Sequence, residues 1–273
     1  EDSPIFNTDG MFIAEWNEET AGMVNAHIDK LRKEQKGFVQ WLGVLPKFRG
    51  KGIAKKLVEK ALENLKQRGM KLAETWAQTD REGCVHIFES FGFKVSRLTS
   101  LMRRSLENIS YNIAENNEAT IRDMQIEDEE DVKLLNWLDN ETFKEHFNFR
   151  PRTLEETKYS LFESPWFKVQ RWFFAVLENQ QAGFAGLGID EGLNTEKNMK
   201  WGWVLDIGVL KAYRLKGIGT RLMLHLMQSL KARGMEEALL YVDDMNPTNA
   251  IKLYEKLGFK VMRKNIVYQL PLT

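Results

Sequence analysis

The sequence predicts an α/β protein of the α+β type, built from two tandem copies of one domain. Residues 42–70 and 207–235 repeat each other at a constant offset of 165, and after one inserted residue a shared Gly-Phe-Lys-Val run extends the match. Within each copy, short apolar runs alternate with amphipathic helical patterns that end at glycine, as at Gly69 and Gly234. A repeat of this length has the size of a domain, so it indicates duplication and not a solenoid.

In the second copy, periodicity and capping signals locate the elements. The predicted helices are 128–143, 154–162, 215–233 and 247–256, and the predicted strands are 172–177, 182–189, 201–210, 238–242 and 260–270. Thr153 is the expected N-cap of the second helix, with Glu156 three residues on, which is a capping-box pattern. A hairpin turn is expected at 179–181. The strand 201–210 is almost wholly apolar, which predicts burial on both faces.

The first copy repeats this order from the hairpin onward. Its predicted strands are 11–16, 21–28, 37–45, a run ending at Trp76, and 93–106, and its predicted helices end at Arg68 and Ser90.

The two copies are unequal in length. The second begins near Thr120, and the constant offset implies that the first lacks roughly 45 residues that its twin has. The chain also starts at Glu1 and not at Met, so we expect about that many residues upstream, enough for a strand and one or two helices. Residues 107–119 are polar and asparagine-rich, which is typical of a linker. The expected domains are therefore 1–106, which is incomplete, and 120–273.

Composition narrows the classes of function. Lys+Arg 39 and Asp+Glu 39 cancel among 273 residues, which argues against a globally basic nucleic-acid binder. The single cysteine, Cys84, excludes a disulfide framework or a four-cysteine zinc site within the chain and favours the reducing cytoplasm. Apolar runs fall far short of the ~20 residues that a membrane span needs. We therefore expect a cytoplasmic protein without a metal site, a nucleic-acid partner or a membrane anchor.

The most informative segment lies between the third strand of the hairpin sheet and the long helix of each copy. It has the pattern Arg-x-x-Gly-x-Gly/Ala. Its residues are Arg49, Gly50, Lys51, Gly52, Ile53 and Ala54 in the first copy, and Arg214, Leu215, Lys216, Gly217, Ile218, Gly219 and Thr220 in the second. A helix N-terminus offers unpaired N–H groups and partial positive charge, and small residues let a diphosphate approach the backbone. Neither copy has the spacing of a dinucleotide fingerprint or a Walker A loop. A tight turn without a ligand is the alternative interpretation.

Together with the run Asn-x-x-Asn-Ala-x-x-x-Tyr-x-x-x-Gly-Phe that starts at Asn246, this strand–loop–helix pattern resembles the GNAT superfamily of N-acetyltransferases. The tandem arrangement resembles that of the mycothiol synthase-like branch. The resemblance implies two GNAT-like domains, each with a mixed, mostly antiparallel twisted sheet and flanking helices. It implies that two central parallel strands splay apart to admit the pantetheine arm of acetyl-CoA (or CoA). The implied reaction moves an acetyl group from acetyl-CoA to an amine acceptor by direct attack in a ternary complex.

The resemblance also assigns roles in the second copy. The residues whose backbone would pair with the pantetheine amides are Ile207, Gly208, Val209 and Leu210. The loop from Arg214 to Thr220 would hold the diphosphate, and Asn246 or Asn249 would contact the cofactor arm. Tyr254 would protonate the departing thiolate, and a tyrosine of the helix core is the alternative interpretation.

The first copy departs from the family pattern where the chemistry lies. Phe88 stands opposite Tyr254, and Asp80 and Gly83 stand opposite the two asparagines. A phenylalanine has no proton to give, so we expect no catalysis there. The loop is retained, which leaves cofactor binding by this copy open.

The base that deprotonates the amine is not fixed by the sequence. Trp203 and Leu205 occupy the expected inward positions of the strand before the loop, and neither can accept a proton. Asp206 lies on the same strand with the opposite side-chain parity. His146, with Glu141 and Glu145, falls between the first two helices, where the family builds its acceptor site. Asp206 and His146 stand as catalytic candidates beside Tyr254, although a water chain or an acceptor of low amine pKa fits the sequence better.

The expected acceptor is a small-molecule or peptide amine, and a homodimer is compatible with the sequence. The rival hypothesis is a non-catalytic CoA-binding or scaffold protein built from two such modules. Nucleic-acid binding has only local basic clusters such as residues 47–56 to support it, and those lysines flank the expected phosphate loop.

Overall fold

The computed structural model describes residues 8–109, 119–165 and 167–272, so residues 110–118 of the expected linker lie outside the described residues. The strands are β1 (Met11–Trp16), β2 (Glu19–His27), β3 (Lys36–Val44), β4 (Leu72–Gln78), β5 (Lys94–Ser105), β6 (Thr120–Asp123), β7 (Val169–Leu177), β8 (Gln180–Ile189), β9 (Trp201–Val209), β10 (Glu237–Asp243) and β11 (Lys260–Pro271). The helices are α1 (Ile53–Gln67), α2 (Glu82–Ser90), α3 (Glu129–Phe143), α4 (Leu154–Phe162), α5 (Glu191–Lys197), α6 (Ile218–Ala232) and α7 (Ala250–Lys256).

The chain forms two compact units, and each takes its last strand from the far end of the other sequence repeat. The first unit contains the chain up to Thr99 together with Arg263 onward, and the second contains Ser100–Met262. The chain therefore leaves the first unit within β5 and returns to it within β11. The last strands of the two repeats share their opening Lys-Val-x-Arg pattern.

In the first unit the strand order is β1-β2-β3-β4-β11. β1, β2 and β3 are antiparallel neighbours, β3 and β4 are parallel, and β11 is antiparallel to β4. The apolar face of α1, which includes Leu57, Val58, Ala61 and Leu65, is buried in the core of this unit.

In the second unit the order is β6-β7-β8-β9-β10-β5. β6, β7, β8 and β9 are antiparallel, whereas β9 and β10 are parallel. The core around α6 includes Leu187 and Val204, whereas a separate apolar cluster contains α3 residues with Trp172 and Phe184. Each unit thus has a mixed, mostly antiparallel sheet with flanking helices, as the sequence predicts.

The caps and turns follow from local sequence. Thr153 and Glu156 form the expected capping box at the start of α4. Both hairpins close through two residues with positive φ, Asn17 and Glu18 in the first unit and Glu178 and Asn179 in the second. That is the turn geometry that matches the twist of paired strands. The second turn lies one residue before the expected position because Gln180 already pairs with Leu177.

The starts of two helices differ from the sequence predictions, and one short helix was not predicted. α6 begins at Ile218 and not at Leu215, because Leu215 and Gly217 adopt left-handed conformations that no helix accommodates. α7 begins at Ala250 because Asn249 is also left-handed, at φ +54°. The short helix α5 between β8 and β9 is absent from the sequence prediction, and Asp190 caps it by accepting from the Leu193 N–H. Among the described residues, no helix combines the length and apolar character needed to cross a bilayer.

Candidate active site

The two parallel strands at the centre of the second unit pair over a short stretch and then separate. Among the described residues, their register joins Glu237, Ala238 and Leu239 to residues 201–203, although β9 runs on to Val209 and β10 to Asp243. β3 and β4 behave alike, with pairing that ends at Phe38 and Glu74. Each unit therefore has the splayed parallel pair that the family resemblance implies.

A cavity of about 570 Å³ opens where β9 and β10 diverge. Its lining brings together most of the predicted second-copy site. The lining residues from that prediction are His146, Asp206, Ile207, Gly208, Val209, Arg214, Leu215, Gly217, Ile218, Gly219, Thr220, Asn246 and Tyr254. Thr142 and Phe143 of α3 complete one wall of the cavity. The sequence analysis assigned neither residue to the site.

The Arg214 side chain makes hydrogen bonds that hold the loop in place. Its Nε donates to the Val209 carbonyl at 3.1 Å, and its guanidinium also reaches the Thr142 carbonyl and the Glu145 carboxylate, each at 3.4 Å. In the first unit Arg49 Nε donates to the Val44 carbonyl, again at 3.1 Å. The motif arginine therefore fixes the turn that follows the strand in both copies.

The loop backbone repeats in the two units. Gly52 and Gly217 precede their helices with φ of +76° and +78°, and no described side chain caps either helix. Two residues earlier, Gly50 has φ +77°, whereas Leu215 holds the same left-handed region at +63° with its side chain fully exposed. Alternation of left-handed residues with helical ones turns successive N–H groups toward one point, which suits an anion. The lysine within each loop, Lys51 or Lys216, instead lies over aromatic rings, at 4.6 Å from that of Trp16 and 5.5 Å from that of Tyr213.

Four residues of the second copy are predicted to pair with pantetheine, but fewer than four have backbone groups that face the cavity. The Leu210 N–H already donates to the carbonyl of Ala182 in β8 at 2.9 Å. Backbone polar groups alternate between the two sides of a strand, so those of Ile207 and Val209 point toward the gap. Glycine is required at position 208 because α3 packs closely there, and a Cβ would lie 2.3 Å from Thr142 Oγ1.

A β-bulge places Asp206 in the site. Asp206 pairs with Gly186 of β8 and Val204 pairs with Leu187, so Leu205 is an extra residue in β9. The extra residue reverses the alternation, so Asp206 lies on the same face of the sheet as Trp203. The opposite parity expected for Asp206 is therefore wrong, because it assumed a regular strand.

The environment of Asp206 raises its pKa to about 7. The main cause is the loss of hydration on burial, and the neighbouring Asp139 carboxylate acts in the same direction. The Arg152 guanidinium opposes both. A carboxyl that titrates near neutral pH is suited to accept a proton from an amine.

Tyr254 on α7 is 7% exposed, and its ring lies 6.0 Å from that of Phe259. Burial and the charge of Asp206 raise the pKa of its hydroxyl, so the hydroxyl is protonated throughout the neutral range. The site therefore holds one group ready to accept a proton and one able to give a proton.

His146 and Glu145 differ in their fitness as bases. His146 packs edge-on against Phe143, at 4.6 Å between ring centroids. Burial, and then the charge of Arg214, lower its pKa, so it is neutral at pH 7. Glu145 hydrogen-bonds Lys211 at 2.9 Å, which together with Arg214 lowers the pKa of Glu145. Glu141 is half-buried and accepts a hydrogen bond from Lys144 Nζ.

The two predicted asparagines have mainly local contacts. Asn246 lines the cavity, but its Oδ1 accepts from the backbone and hydroxyl of Thr248 at 2.8 and 2.7 Å. Asn249 starts α7 in a left-handed conformation, and its side chain is outside the cavity lining formed by the described residues. No three His, Cys, Asp or Glu side chains in the described ranges are arranged to hold a metal ion.

Sequence reasoning missed Asp139 and Arg152. Asp139 lies on α3 next to the buried Leu138 and one turn from the buried Leu135, so a carboxylate on the inward stripe of a helix was the available signal. Arg152 lies in the loop between α3 and α4, where no periodicity marks it.

The first unit lacks the reactive groups at the matching places. At the repeat offset, Trp41 stands where the second unit has Asp206, with φ +55°. Phe88 stands at the place of Tyr254 and packs 5.5 Å from Phe93, as Tyr254 packs on Phe259. Between the diverging strands, Thr75 Oγ1 donates to the Val39 carbonyl at 2.8 Å.

Comparison with known proteins settles the family. The profile described as "Acetyltransferase (GNAT) family" matches residues 2–93 and again 132–259. The chain belongs to the GNAT family of acetyltransferases. A protein named mycothiol acetyltransferase from Thermobispora bispora is 29% identical over 84% of this chain and 74% of its own length. Another of that name from Mycobacteroides abscessus is 27% identical over 94% and 83%.

Solved GNAT structures share the fold. A tandem GNAT protein from the clavulanic acid biosynthesis pathway has a TM-score of 0.73 at 12% identity and is matched over 98% of this chain and 85% of its own. A GCN5-related N-acetyltransferase from Sphaerobacter thermophilus has a TM-score of 0.68 at 20% identity, over 94% and 78%. The tandem GNAT fold and acetyl-CoA-dependent N-acetyl transfer predicted from the sequence are both confirmed, and the non-catalytic scaffold is not favoured.

Proposed function

We propose that the second unit performs the acetyl transfer, with acetyl-CoA held between β9 and β10 and the acceptor amine at Asp206. The observation that carries this proposal is a single cavity that joins the uncapped start of α6, a carboxyl with a pKa of about 7, and a buried tyrosine. The first unit has Trp41 and Phe88 at the latter two places, so we assign it no catalysis.

The residues present suit the donor. The N–H groups at the start of α6 and of the loop from Arg214 to Thr220 would hold the diphosphate, since two left-handed residues orient them. The Ile207 backbone and the Val209 N–H would hold the pantetheine arm as a neighbouring strand would, whereas the Val209 carbonyl already accepts from Arg214 Nε. When bound, acetyl-CoA supplies the thioester whose acetyl group is transferred. Whether the loop from Arg49 to Ala54 holds a second CoA is a separate proposal, supported by the same backbone conformation.

Asp206 is the proposed base. An amine must lose a proton to become a nucleophile, and at pH 7 this costs about 1 kcal/mol for an α-amine and about 4.6 kcal/mol for a lysine side chain. A base of pKa near 7 is half ionised at that pH and still basic enough to take the proton. His146 is the competing candidate, because it is neutral and lines the same cavity.

Tyr254 is the proposed acid. In a direct attack, the amine nitrogen bonds to the acetyl carbon, the carbon–sulfur bond breaks, and its electron pair stays on sulfur. The Tyr254 hydroxyl gives its proton to that sulfur. An unperturbed tyrosine is about 1.5 pKa units too weak for a free thiolate, roughly 2 kcal/mol, and burial adds to the difference. Tyr254 therefore donates only as charge builds on sulfur.

The proposed acceptor is a small-molecule or peptide amine. The relatives named for mycothiol make their acceptor one to test first, although identities of 25–29% in the matches that span 80% or more of this chain leave room for another amine. The stacked rings of Trp203 and Tyr241, 5.9 Å apart, lie on the same face of the sheet as Asp206 and would offer an apolar surface to the acceptor.

Three further proposals concern the whole chain. The proposed repeat domains are 1–106 and 120–273, the proposed location is the cytoplasm, and a homodimer is the proposed assembly.

The test is an acceptor panel with detection of released thiol, run on matched loop variants. Gly217→Glu places a negative side chain where the diphosphate would lie, and Gly52→Glu makes the same change in the first unit. We expect Gly217→Glu to abolish turnover and Gly52→Glu to leave it within about twofold. Equal activity of Gly217→Glu and the unmodified protein on the best acceptor would contradict the proposal.

A further inference from the structure

A second, smaller cavity also has Asp206 in its lining. It is bounded by α3, α4 and the sheet, and its walls include Leu135, Trp172 and Phe184. Three ionisable side chains face it, namely Asp139, Arg152 and Asp206. Asp206 thus lies between this cavity and the larger one where β9 and β10 diverge.

The backbone of Arg152 is held in place on both of its polar groups. Its carbonyl accepts from Asn136 Nδ2 and Asn140 Nδ2, each at 2.9 Å, and its N–H donates to Asn140 Oδ1 at 2.7 Å. From this fixed backbone, the guanidinium reaches to within 3.5 Å of Asp139 Oδ2. The Asp139 side chain is 14% exposed and the Arg152 side chain 40%, so the pair extends from beside Asp206 to the surface.

We propose that Asp139 and Arg152 are positioning residues that set the pH range in which Asp206 can act as the base. This inference rests on the proposed function, because it presupposes that Asp206 is that base. Neither residue is itself part of the larger cavity's lining as formed by the described residues.

The two residues act with opposite sign. A carboxylate beside a carboxylate favours the neutral form, whereas a guanidinium favours the charged form. The groups that face Asp206 are Asp139 from α3, Arg152 from the α3–α4 connection and the neutral Tyr254 from α7. The α4 side chains at the small cavity, Thr157 and Ser160, carry no charge. The balance of one anion and one cation, added to burial, keeps the pKa of Asp206 near the pH of the reaction.

A purely structural ion pair predicts something different. If Asp139 and Arg152 only fasten α3 to the following loop, their neutral variants lower stability and leave the titration of Asp206 where it was. Opposite shifts from two neighbouring substitutions cannot come from a common loss of stability.

The test is a carboxyl titration that needs no acceptor. Protein labelled with ¹³C at the aspartate side-chain carboxyl is followed by NMR from pH 4 to 9, and the Asp206 signal is the one lost in Asp206→Asn. We expect Asp139→Asn to move its midpoint down by about one pH unit and Arg152→Gln to move it up. Arg152→Lys keeps the charge and should leave the midpoint near its original value. Glu196→Gln, which removes an exposed charge on α5, is the control and should shift nothing.

Midpoints that stay fixed in Asp139→Asn and Arg152→Gln, or that move in the same direction, would overturn the inference. Either substitution alone suffices if the other fails to fold. The proposed function fails by a different result, namely full turnover in Asp206→Asn. Fixed midpoints together with loss of turnover in Asp206→Asn would remove the role of Asp139 and Arg152 and leave the base in place.

Discussion

Asp206 and Tyr254 line one cavity, and the charge of Asp206 adds to burial in raising the pKa of the Tyr254 hydroxyl. The two groups are therefore coupled. If Asp206 is the base, as we propose, its charge disappears when it takes a proton from the acceptor amine, and one of the two causes of the raised pKa of Tyr254 is removed. Tyr254 becomes a stronger acid at the stage at which sulfur needs a proton. In the proposed mechanism the first proton transfer therefore favours the second.

The first prediction concerns the pH dependence of turnover. Asp206 must be ionised to accept a proton, so kcat/KM should rise with pH through about 7 and level off above it. Asp206→Asn should remove this rise and most of the activity. The measurement is a pH–rate profile on the best acceptor. A rise centred below pH 6.5 that is lost in His146→Gln and kept in Asp206→Asn would instead make His146 the base, because its pKa is lowered from 6.5.

The second prediction is that Asp206→Asn stabilises the protein at alkaline pH. An unfolded aspartate has a pKa near 3.9, so between that value and about 7 the folded protein binds the Asp206 proton more tightly than the unfolded chain does. Stability falls as pH rises across this window and stays lowered above it. Asparagine removes the cost, so thermal or denaturant unfolding at pH 8 should show a gain of up to about 4 kcal/mol, and little gain at pH 4.

The matched control for this gain is Glu127→Gln, which neutralises an exposed carboxylate of the same unit. It should change stability by less than about 0.5 kcal/mol at either pH. A gain in Asp206→Asn that is equally large at pH 4 and pH 8 would show that ionisation of Asp206 is not the cause.

The third prediction uses the repeat as its own control. Gly208→Ala would place a Cβ 2.3 Å from Thr142 Oγ1 and 2.7 Å from the Phe184 ring, so we expect destabilisation of about 1–3 kcal/mol and loss of turnover. Gly43 is the matching glycine of the first unit, where the nearest atom to a Cβ is the Trp41 carbonyl oxygen at 4.0 Å. Gly43→Ala should leave the melting temperature and turnover nearly unchanged. Equal effects of the two substitutions would contradict the close approach of α3 to β9.

Much of the fold follows from the sequence because its signals are local or repeated. The capping box of Thr153, the glycines that end α1 and α6, and the loop before each long helix all act within a few residues. The family resemblance implies a pair of splayed strands in each domain. The constant offset between the copies then shows which strands of the two units correspond.

The parts that sequence reasoning missed depend on contacts between distant residues. The extra residue Leu205 is recognisable only once β8 and β9 are paired, and it alone brings Asp206 to the face of Trp203. The position of Arg152 depends on Asn136 and Asn140, which hold its backbone from a preceding helix. The exchange of last strands between the repeats is likewise invisible to periodicity, because periodicity identifies a strand and not the strand that it pairs with.

The fourth prediction tests the central claim, that the second unit carries the chemistry, and it compares Tyr254→Phe with Phe88→Leu. Tyr254→Phe removes a proton donor, keeps the ring and makes this position what the first unit already has at Phe88, so folding and acetyl-CoA affinity should be retained. Phe88→Leu alters the matching core position of the first unit without touching a reactive group.

The decisive measurement is steady-state turnover of both variants on one acceptor, with calorimetry to confirm acetyl-CoA binding. The account predicts a 10²- to 10⁴-fold fall for Tyr254→Phe, the range that general acid catalysis typically contributes, and a change of less than about twofold for Phe88→Leu. Turnover within about twofold for Tyr254→Phe, with loss of turnover in a Phe88→Leu protein that is still folded, would assign the chemistry to the first unit and contradict the account.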